Sequence, residues 1–231
     1  MRLILLHALP FDGRMWDSDR PIVADALAPR LYDLGDSIQD WAAAIVAECH
    51  DDELFVVGSS VGGSCALEIA RAAPERVRTV MLVGAKADVW PDPAACSEAV
   101  ALLRGQGVEA AWDRYWAPLF GAETDSAIVT AARLLALKQG VEDLVAGVRA
   151  FHHRRDQSHF VKTWAGRIVL VNGSCDQTPS PQVAAVSLQG ARSVEQAIVS
   201  DCGHFLPMEQ PDIFYQLLSE QLGREQAAGF R

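Results

Sequence analysis

Several features are scarce in this chain, and each scarcity removes a class of function. Cysteine occurs five times, at Cys49, Cys65, Cys96, Cys175 and Cys202, an odd number with no C-x-x-C pair. Neither a disulfide framework nor a zinc site is spaced that way, and the usage fits a reducing compartment. Basic residues are outnumbered, 20 Lys and Arg against 30 Asp and Glu, which leaves a net charge of −10. Such a surface repels phosphate backbones and anionic headgroups, so neither nucleic acid nor membrane is an expected partner. No apolar stretch reaches the ~18 residues of a spanning helix. The opening run from Met1 to Leu6 meets His7 too early for a signal-peptide core, and no small-residue cleavage site follows. The expectation is a soluble cytoplasmic protein. Internal repeats and low-complexity segments are lacking too, which sets solenoids and linker-rich chains aside.

What remains is an ordinary globular composition, 231 residues with 50% hydrophobic content, enough for one substantial core. Short Val-, Ile- and Leu-rich runs at Leu3–Leu6, Leu54–Val57, Val77–Val83 and Arg167–Val171 read as buried parallel strands. Arg30–Leu34 is a weaker strand candidate and Val194–Val199 a sixth. Helical spacing covers Ile38–Cys49, Val61–Ala72 (stopped by Pro74) and Pro211–Leu222. Alternation of this kind predicts an α/β fold, a mostly parallel sheet of about six strands with helices on both faces. Residues 88–159 differ. They open with Pro91 and Pro93, hold no convincing strand, and suggest helices at Ala94–Leu103, Val108–Phe120, Ser126–Lys138 and Val141–His153. The expected organisation is a core from 1–87 and 160–231 with a helical cap, 88–159, inserted between two strands. Arg224–Arg231 are expected to fray.

Gly58-Ser59-Ser60-Val61-Gly62 matches G-x-S-x-G between a strand pattern and a helix pattern. That context is what a nucleophile elbow requires: a tight turn lifts Ser60 above the sheet, and side chains at Gly58 or Gly62 would collide. The Val61 N–H and the helix dipole then face any developing oxyanion. A Gly/Ser-rich turn without chemistry, or one that cradles phosphate, has the same letters. A serine hydroxyl needs a base. Of six histidines His204 is best placed, in a loop after the last strand that parallel topology delivers to the elbow's end of the sheet. Asp176, just beyond the Arg167–Val171 strand, is the candidate acid to orient it, although loop aspartates often only form turns. Asp88 is the rival. The order Ser60…Asp176…His204 is the one expected on such a sheet.

Four motifs now fall in line. His7-Ala8-Leu9-Pro10-Phe11-Asp12 with Trp16 resembles the H-G-F-P…W opening of alpha/beta hydrolases. Gly58–Gly62 resembles their elbow, and Ala73-Pro74-Glu75-Arg76-Val77 their P-x-R-V link. Gly203-His204-Phe205 through Glu209 and Pro211 resembles their G-H-F-x-x-x-E-x-P ending. The resemblance is nearest to the cofactor-free esterases and lactonases related to 3-oxoadipate enol-lactonase and the non-haem haloperoxidases. It implies the alpha/beta-hydrolase fold, an oxyanion hole from the N–H groups of Leu9 and Val61, a cap over an acyl pocket, and no cofactor. This chain departs from the pattern at Ala8, where Gly is usual, in starting its first strand at residue 3 without the common N-terminal hairpin, and in a shortened Tyr32–Ser37 segment that would open the pocket mouth.

In the insert, Trp112, Trp116 and Phe120 fall at i, i+4 spacing. Packing of the cap onto the core is the first reading; the second, an aromatic ceiling over substrate, makes Trp116, Phe120 and Phe205 pocket candidates. His152-His153-Arg154-Arg155 reads first as a solvated helix end, where cations suit the dipole, and otherwise as a contact for a substrate carboxylate. It lacks the third ligand of a metal site, and none is expected. Cys65 reads as core packing. The expected activity is hydrolysis of a small, partly apolar carboxylic ester or lactone through an acyl-enzyme on Ser60. C–C bond hydrolysis, thioester cleavage, acyl transfer and a slow-turnover ligand receptor remain open on the same residues.

Overall fold

The computed structural model describes residues 1–16, 19–90 and 92–229. Strands β1 (Arg2–Leu6), β2 (Leu54–Ser59), β3 (Val77–Val83), β4 (Arg167–Gly173) and β5 (Val194–Val199) form one sheet in chain order, every neighbouring pair parallel. The interior strand β2 is buried at every position, as continuous apolar runs covered on both faces must be, whereas edge strand β5 exposes Val194 and Ile198. Around the sheet lie α1 (Pro21–Ala24), α2 (Ile38–Glu48), α3 (Val61–Ala72), α4 (Pro93–Ala111), α5 (Ser126–Ala136), α6 (Val141–His152), α7 (Ser158–Thr163), α8 (Pro181–Ser187), α9 (Leu206–Glu209) and α10 (Pro211–Gly229). Helix α2 begins at a reciprocal cap: the Ser37 hydroxyl accepts from the Asp40 N–H while the Asp40 carboxylate accepts from the Ser37 N–H. All strands end at one edge of the sheet, which brings together His7, Ser60, Gly84 and the loops after β4 and β5.

Among the described residues the sheet has five strands, and the segment expected as another, Arg30–Leu34, is a 3-10 turn over Leu31–Asp33. The place beside β1 is already taken by Leu27, whose N–H donates to the Leu3 carbonyl at 2.9 Å while its carbonyl accepts from the Leu5 N–H at 2.8 Å. Freed from the ladder, the chain turns so that the Tyr32 hydroxyl donates to the Phe11 carbonyl at 2.8 Å. Between β3 and β4 the described chain is helical. The two helices expected from Ala94 and Val108 run together as α4, kinked at Gly107, where φ is 83°. A π turn, Trp112–Trp116, and a 3-10 turn, Ala117–Leu119, follow. Pro91, expected to open this stretch, lies outside the described residues. The expected fraying from Arg224 is replaced by helix to Gly229, because Arg224 pairs with Glu195 at 2.6 Å and Glu225 with Arg167 at 2.9 Å. Residues 230–231 lie outside the description. Among the described residues no helix is long and apolar enough to cross a membrane.

His7 shows how the end of β1 is fixed. It is fully buried; Nε2 accepts the Leu31 N–H at 2.9 Å, and Nδ1 therefore carries the hydrogen, directed at the Ala8 carbonyl 3.1 Å away. Burial is the dominant influence and lowers its pKa from 6.5 to about 4. The unfolded imidazole takes up a proton near pH 6.5 that the buried one refuses until about 4, so stability falls as pH drops through that window. Between pH 7 and 5 the loss should be about 2 kcal/mol. Urea unfolding at both pH values should show this slope in the wild type. His7→Gln, which keeps an acceptor for Leu31 without titrating, should be flatter by that amount; equal slopes refute the assignment.

Candidate active site

Ser60 sits between the last residue of β2 and the first of α3, with φ 52° and ψ −115°. A left-handed serine is strained by about 1–3 kcal/mol and persists only where its surroundings over-determine it. Here the Ser60 N–H donates to the Val83 carbonyl at 2.9 Å, and its own carbonyl accepts from the Gly63 N–H at 2.9 Å. A Cβ on Gly58 would strike the Gly62 carbonyl; one on Gly62 would strike the Leu6 carbonyl and lie 2.8 Å from that of His7. The two glycines let the start of α3 press against both β2 and β1. Val61 opens the helix, so its N–H has no intrahelical partner.

The loops after β4 and β5 supply the second half. Asp176 and His204 are almost entirely buried, and Nδ1 of His204 lies 2.8 Å from Oδ2 of Asp176. The other carboxylate oxygen accepts the Thr178 N–H at 2.8 Å, so both Asp176 oxygens have fixed roles. The imidazole also rests against Gly84, where a Cβ would come within 3.0 Å of Nδ1. Gly84 directly follows the Val83 carbonyl that holds Ser60. Ser60 and His204 line one cavity of about 450 Å³, and the Ser60 hydroxyl has no hydrogen-bond partner among the described residues. Asp88, the rival acid, turns elsewhere: it lies 3.1 Å from Lys86 Nζ and accepts from the Trp90 indole N–H at 2.8 Å. A histidine whose Nδ1 is held by a buried carboxylate presents Nε2 for proton exchange in a defined tautomer.

One residue whose role sequence reasoning missed organises this corner. Glu209 is buried; its Oε2 accepts the N–H groups of Gly203 and Gly121, each at 2.9 Å, and the Thr124 hydroxyl at 2.6 Å. Its Oε1 accepts the Phe205 N–H at 2.8 Å. The carboxylate thus grips the chain on both sides of His204 and ties it to the segment following the 3-10 turn. The His204 N–H completes the seam, donating to the Leu119 carbonyl at 2.9 Å. The only sequence signal was the glutamate five residues after the histidine.

Of the pocket candidates, Trp116 lines the 450 Å³ cavity, as does Leu9. Phe120 and Phe205 do not. Phe205 is fully buried, its ring 4.8 Å from Phe120 and 5.0 Å from Phe11, with Trp112 closing the cluster 5.8 Å from Phe120. The wider π turn at Trp112–Trp116 breaks the even helical spacing, so Trp112 and Phe120 stack into the core while Trp116 meets the cavity. A second cavity of about 240 Å³ also contains Ser60, and its wall includes Ser64, Lys86, Arg154, Gln177 and Thr178. The larger chamber is mainly apolar (Ala99, Leu103, Trp116, Val148), and Phe151 and Thr178 border both. Cys65 and Cys202 are buried, and burial raises both thiols further from ionisation, consistent with packing. Among the described residues no group of three His, Cys, Asp or Glu side chains is placed to hold a metal ion.

Residues 3–217 match the model of the alpha/beta hydrolase family. A pimeloyl-[acyl-carrier protein] methyl ester esterase of Aromatoleum aromaticum is 31% identical over 91 residues, a match that spans 36% of this chain and 36% of that protein. Among solved structures, a thermophilic esterase from Thermogutta terrifontis superposes with a TM-score of 0.86 at 20% identity, over 97% of this chain and 90% of that one. The enol-lactonase from Burkholderia xenovorans gives 0.83 at 16% identity, over 96% and 90%. These two likenesses speak for the fold alone, whereas the family match covers nearly the whole chain. The chain belongs to the alpha/beta hydrolase family.

Proposed function

We propose that this protein hydrolyses small carboxylic esters or lactones through an acyl-enzyme on Ser60. The observation that carries the reading is the buried Asp176–His204 hydrogen bond at the wall of the cavity that Ser60 also lines. In the proposed cycle His204 takes the hydroxyl proton as Ser60 attacks the carbonyl, and Asp176 holds the imidazole and stabilises the imidazolium. The N–H groups of Leu9 and Val61 receive the oxyanion, the latter from the positive end of α3. His204 then protonates the leaving alkoxide and activates the water that releases the acid. The helical stretch 88–159 acts as a cap whose apolar side chains hold the organic portion of the substrate. The names of the similar proteins, an esterase, a methyl ester esterase and an enol-lactonase, support this choice of bond.

Ser60→Ala should lower kcat by about four to six orders of magnitude on a p-nitrophenyl ester, because a nucleophile cannot be replaced by binding alone. Intact-mass analysis should show a fluorophosphonate adduct on the wild type and none on the variant. Near-wild-type turnover in the variant overturns the proposal. Glu209→Gln should lower stability to urea by about 2–4 kcal/mol, since an amide cannot accept from so many buried N–H groups and turns a donor on one of them. Because the loop carrying His204 loosens, kcat should fall more than KM rises. A variant with unchanged stability and kcat refutes the positioning role.

A further inference from the structure

The smaller chamber beside Ser60 carries positive charge in a protein whose net charge is −10. Its charged wall residues are Lys86 and Arg154, and no carboxylate among the described residues lines it. Lys86 is already paired, 3.1 Å from Asp88 and beneath the Trp90 ring. Arg154 is not. Among the described residues no carboxylate lies within ion-pairing distance of its guanidinium, whose one hydrogen bond runs from Nη1 to the Phe151 carbonyl at 2.6 Å. The group stacks on the Phe151 ring, 3.8 Å from the centroid, and the same phenylalanine borders both chambers.

Of the rest of the basic cluster, His152 lines the larger chamber with its ring 5.5 Å from that of Phe151, and the other two members are engaged elsewhere. His153 Nδ1 bonds the Arg149 carbonyl at 2.8 Å, and Arg155 pairs with the buried Glu68 at 2.9 Å. The nearby acids are committed as well. Asp156 accepts the Ser158 N–H at 2.8 Å, and Asp88 serves Lys86 and Trp90. Burial lowers the Arg154 pKa to about 10, with Asp88 and Asp156 opposing it only from a distance. A half-buried guanidinium without a counter-ion is costly, and this cost is relieved when a ligand brings the missing charge. The cation–π stack holds the planar group in one orientation, leaving Nε and Nη2 available as a fork, the geometry that suits a carboxylate.

We propose that Arg154 recognises a carboxylate on the substrate, so that the preferred ester or lactone is an anion whose charged end occupies the smaller chamber. This rests on the acyl-enzyme reading and deepens it. The larger, mainly apolar chamber, whose wall also carries Arg114 and His152, holds the remaining organic portion, and the scissile carbonyl lies at Ser60, which borders both chambers. The substrate class is therefore the half-esters of dicarboxylic acids and lactones that bear a free carboxylate.

Methanol release from monomethyl esters of four- to eight-carbon dicarboxylic acids, compared with methyl esters of monoacids of matched length, tests this directly. The readout is the ratio of kcat/KM for each anionic ester to its neutral partner. The wild type should favour the anion at least tenfold for one or more chain lengths. Arg154→Met should cut that ratio by about 30- to 100-fold, and Arg154→Lys should fall between, because a point charge lacks the fork. Thermal unfolding of both variants separates loss of recognition from loss of fold, and the ratio within one protein cancels the amount of active enzyme. A wild-type ratio near one across the whole series, or a ratio in Arg154→Met equal to the wild type's, overturns the carboxylate assignment. If neutral esters are still cleaved in a Ser60-dependent way, that failure belongs to Arg154 alone. If no ester is cleaved and Ser60 takes no phosphonate, both readings fall together.

Discussion

A carboxylate with no open valence holds the corner where this site is built. Glu209 accepts three backbone N–H groups and one hydroxyl, drawn from the loop that carries His204 and from the turn at Gly121–Thr124. Neither segment has regular structure to satisfy those donors, and buried N–H groups left unpaired each cost on the order of 1–3 kcal/mol. Because α9 and α10 are short of loop, the glutamate at the end of α9 lies within reach of the residues just before it. The close approach of chains around it depends on glycine: a Cβ on Gly203 would collide with the backbone of Leu119 to Gly121, and one on Gly173 with the carbonyl of Cys202. The sheet brings Ser60 to this edge, but Glu209 decides where the imidazole stands and how the helical stretch meets it.

The contrast between the two halves of the site is physical. Ser60 is positioned by backbone strain, a left-handed residue locked between β2 and α3 by Gly58 and Gly62. Its placement needs little help from side chains and moves only if the sheet moves. His204 is positioned by side chains, Asp176 on the ring and Glu209 on the main chain. Substitutions at Glu209 or Asp176 thus act on the imidazole while leaving the elbow intact. The two halves touch through β3, where Val83 holds the serine N–H and Gly84 receives the imidazole.

Legibility in the sequence followed the range of the forces involved. Strands β1 to β5 announce themselves because burial on both faces, or a clear strand run between turn residues, is a local property. The elbow was legible for the same reason: strand, glycine, serine, glycine and helix are contiguous. The pairing of Asp176 with His204 could be argued only from parallel topology, and the geometry that Asp176 rather than Asp88 meets the ring needed coordinates. Arg30–Leu34 was misread because its residues suit a strand while Leu27, three positions earlier, already occupies the sheet edge. Phe120 follows the packing reading because the five-residue π turn before it, which carries no distinct composition, changes which way the side chains after it face. Phe205, in the loop after β5, packs on Phe11 and Phe120 instead of the cavity. For Arg154 the sequence leaves two readings, a solvated helix end or a contact for a substrate carboxylate, because whether a cation at a helix end is solvated or turned inward depends on which neighbours have already claimed the available carboxylates.

An acidic protein that selects an anion, as proposed for Arg154, has two opposing electrostatic terms to balance. At physiological ionic strength charges are screened over about 8 Å, so the repulsion from a net charge of −10 acts mainly at short range. Inside, the dielectric is lower and no carboxylate among the described residues lies within ion-pairing distance of Arg154, so the local term grows as the distant one fades. In the proposed reading an anionic substrate meets a screened barrier on approach and a strong preference at contact. Such an arrangement leaves association unsteered and concentrates discrimination at the bound state, where the orientation of the carboxylate against the guanidinium also fixes the scissile carbonyl relative to Ser60. Raising salt would then ease entry and leave the contact itself nearly untouched, the reverse of what a surface patch of cations does.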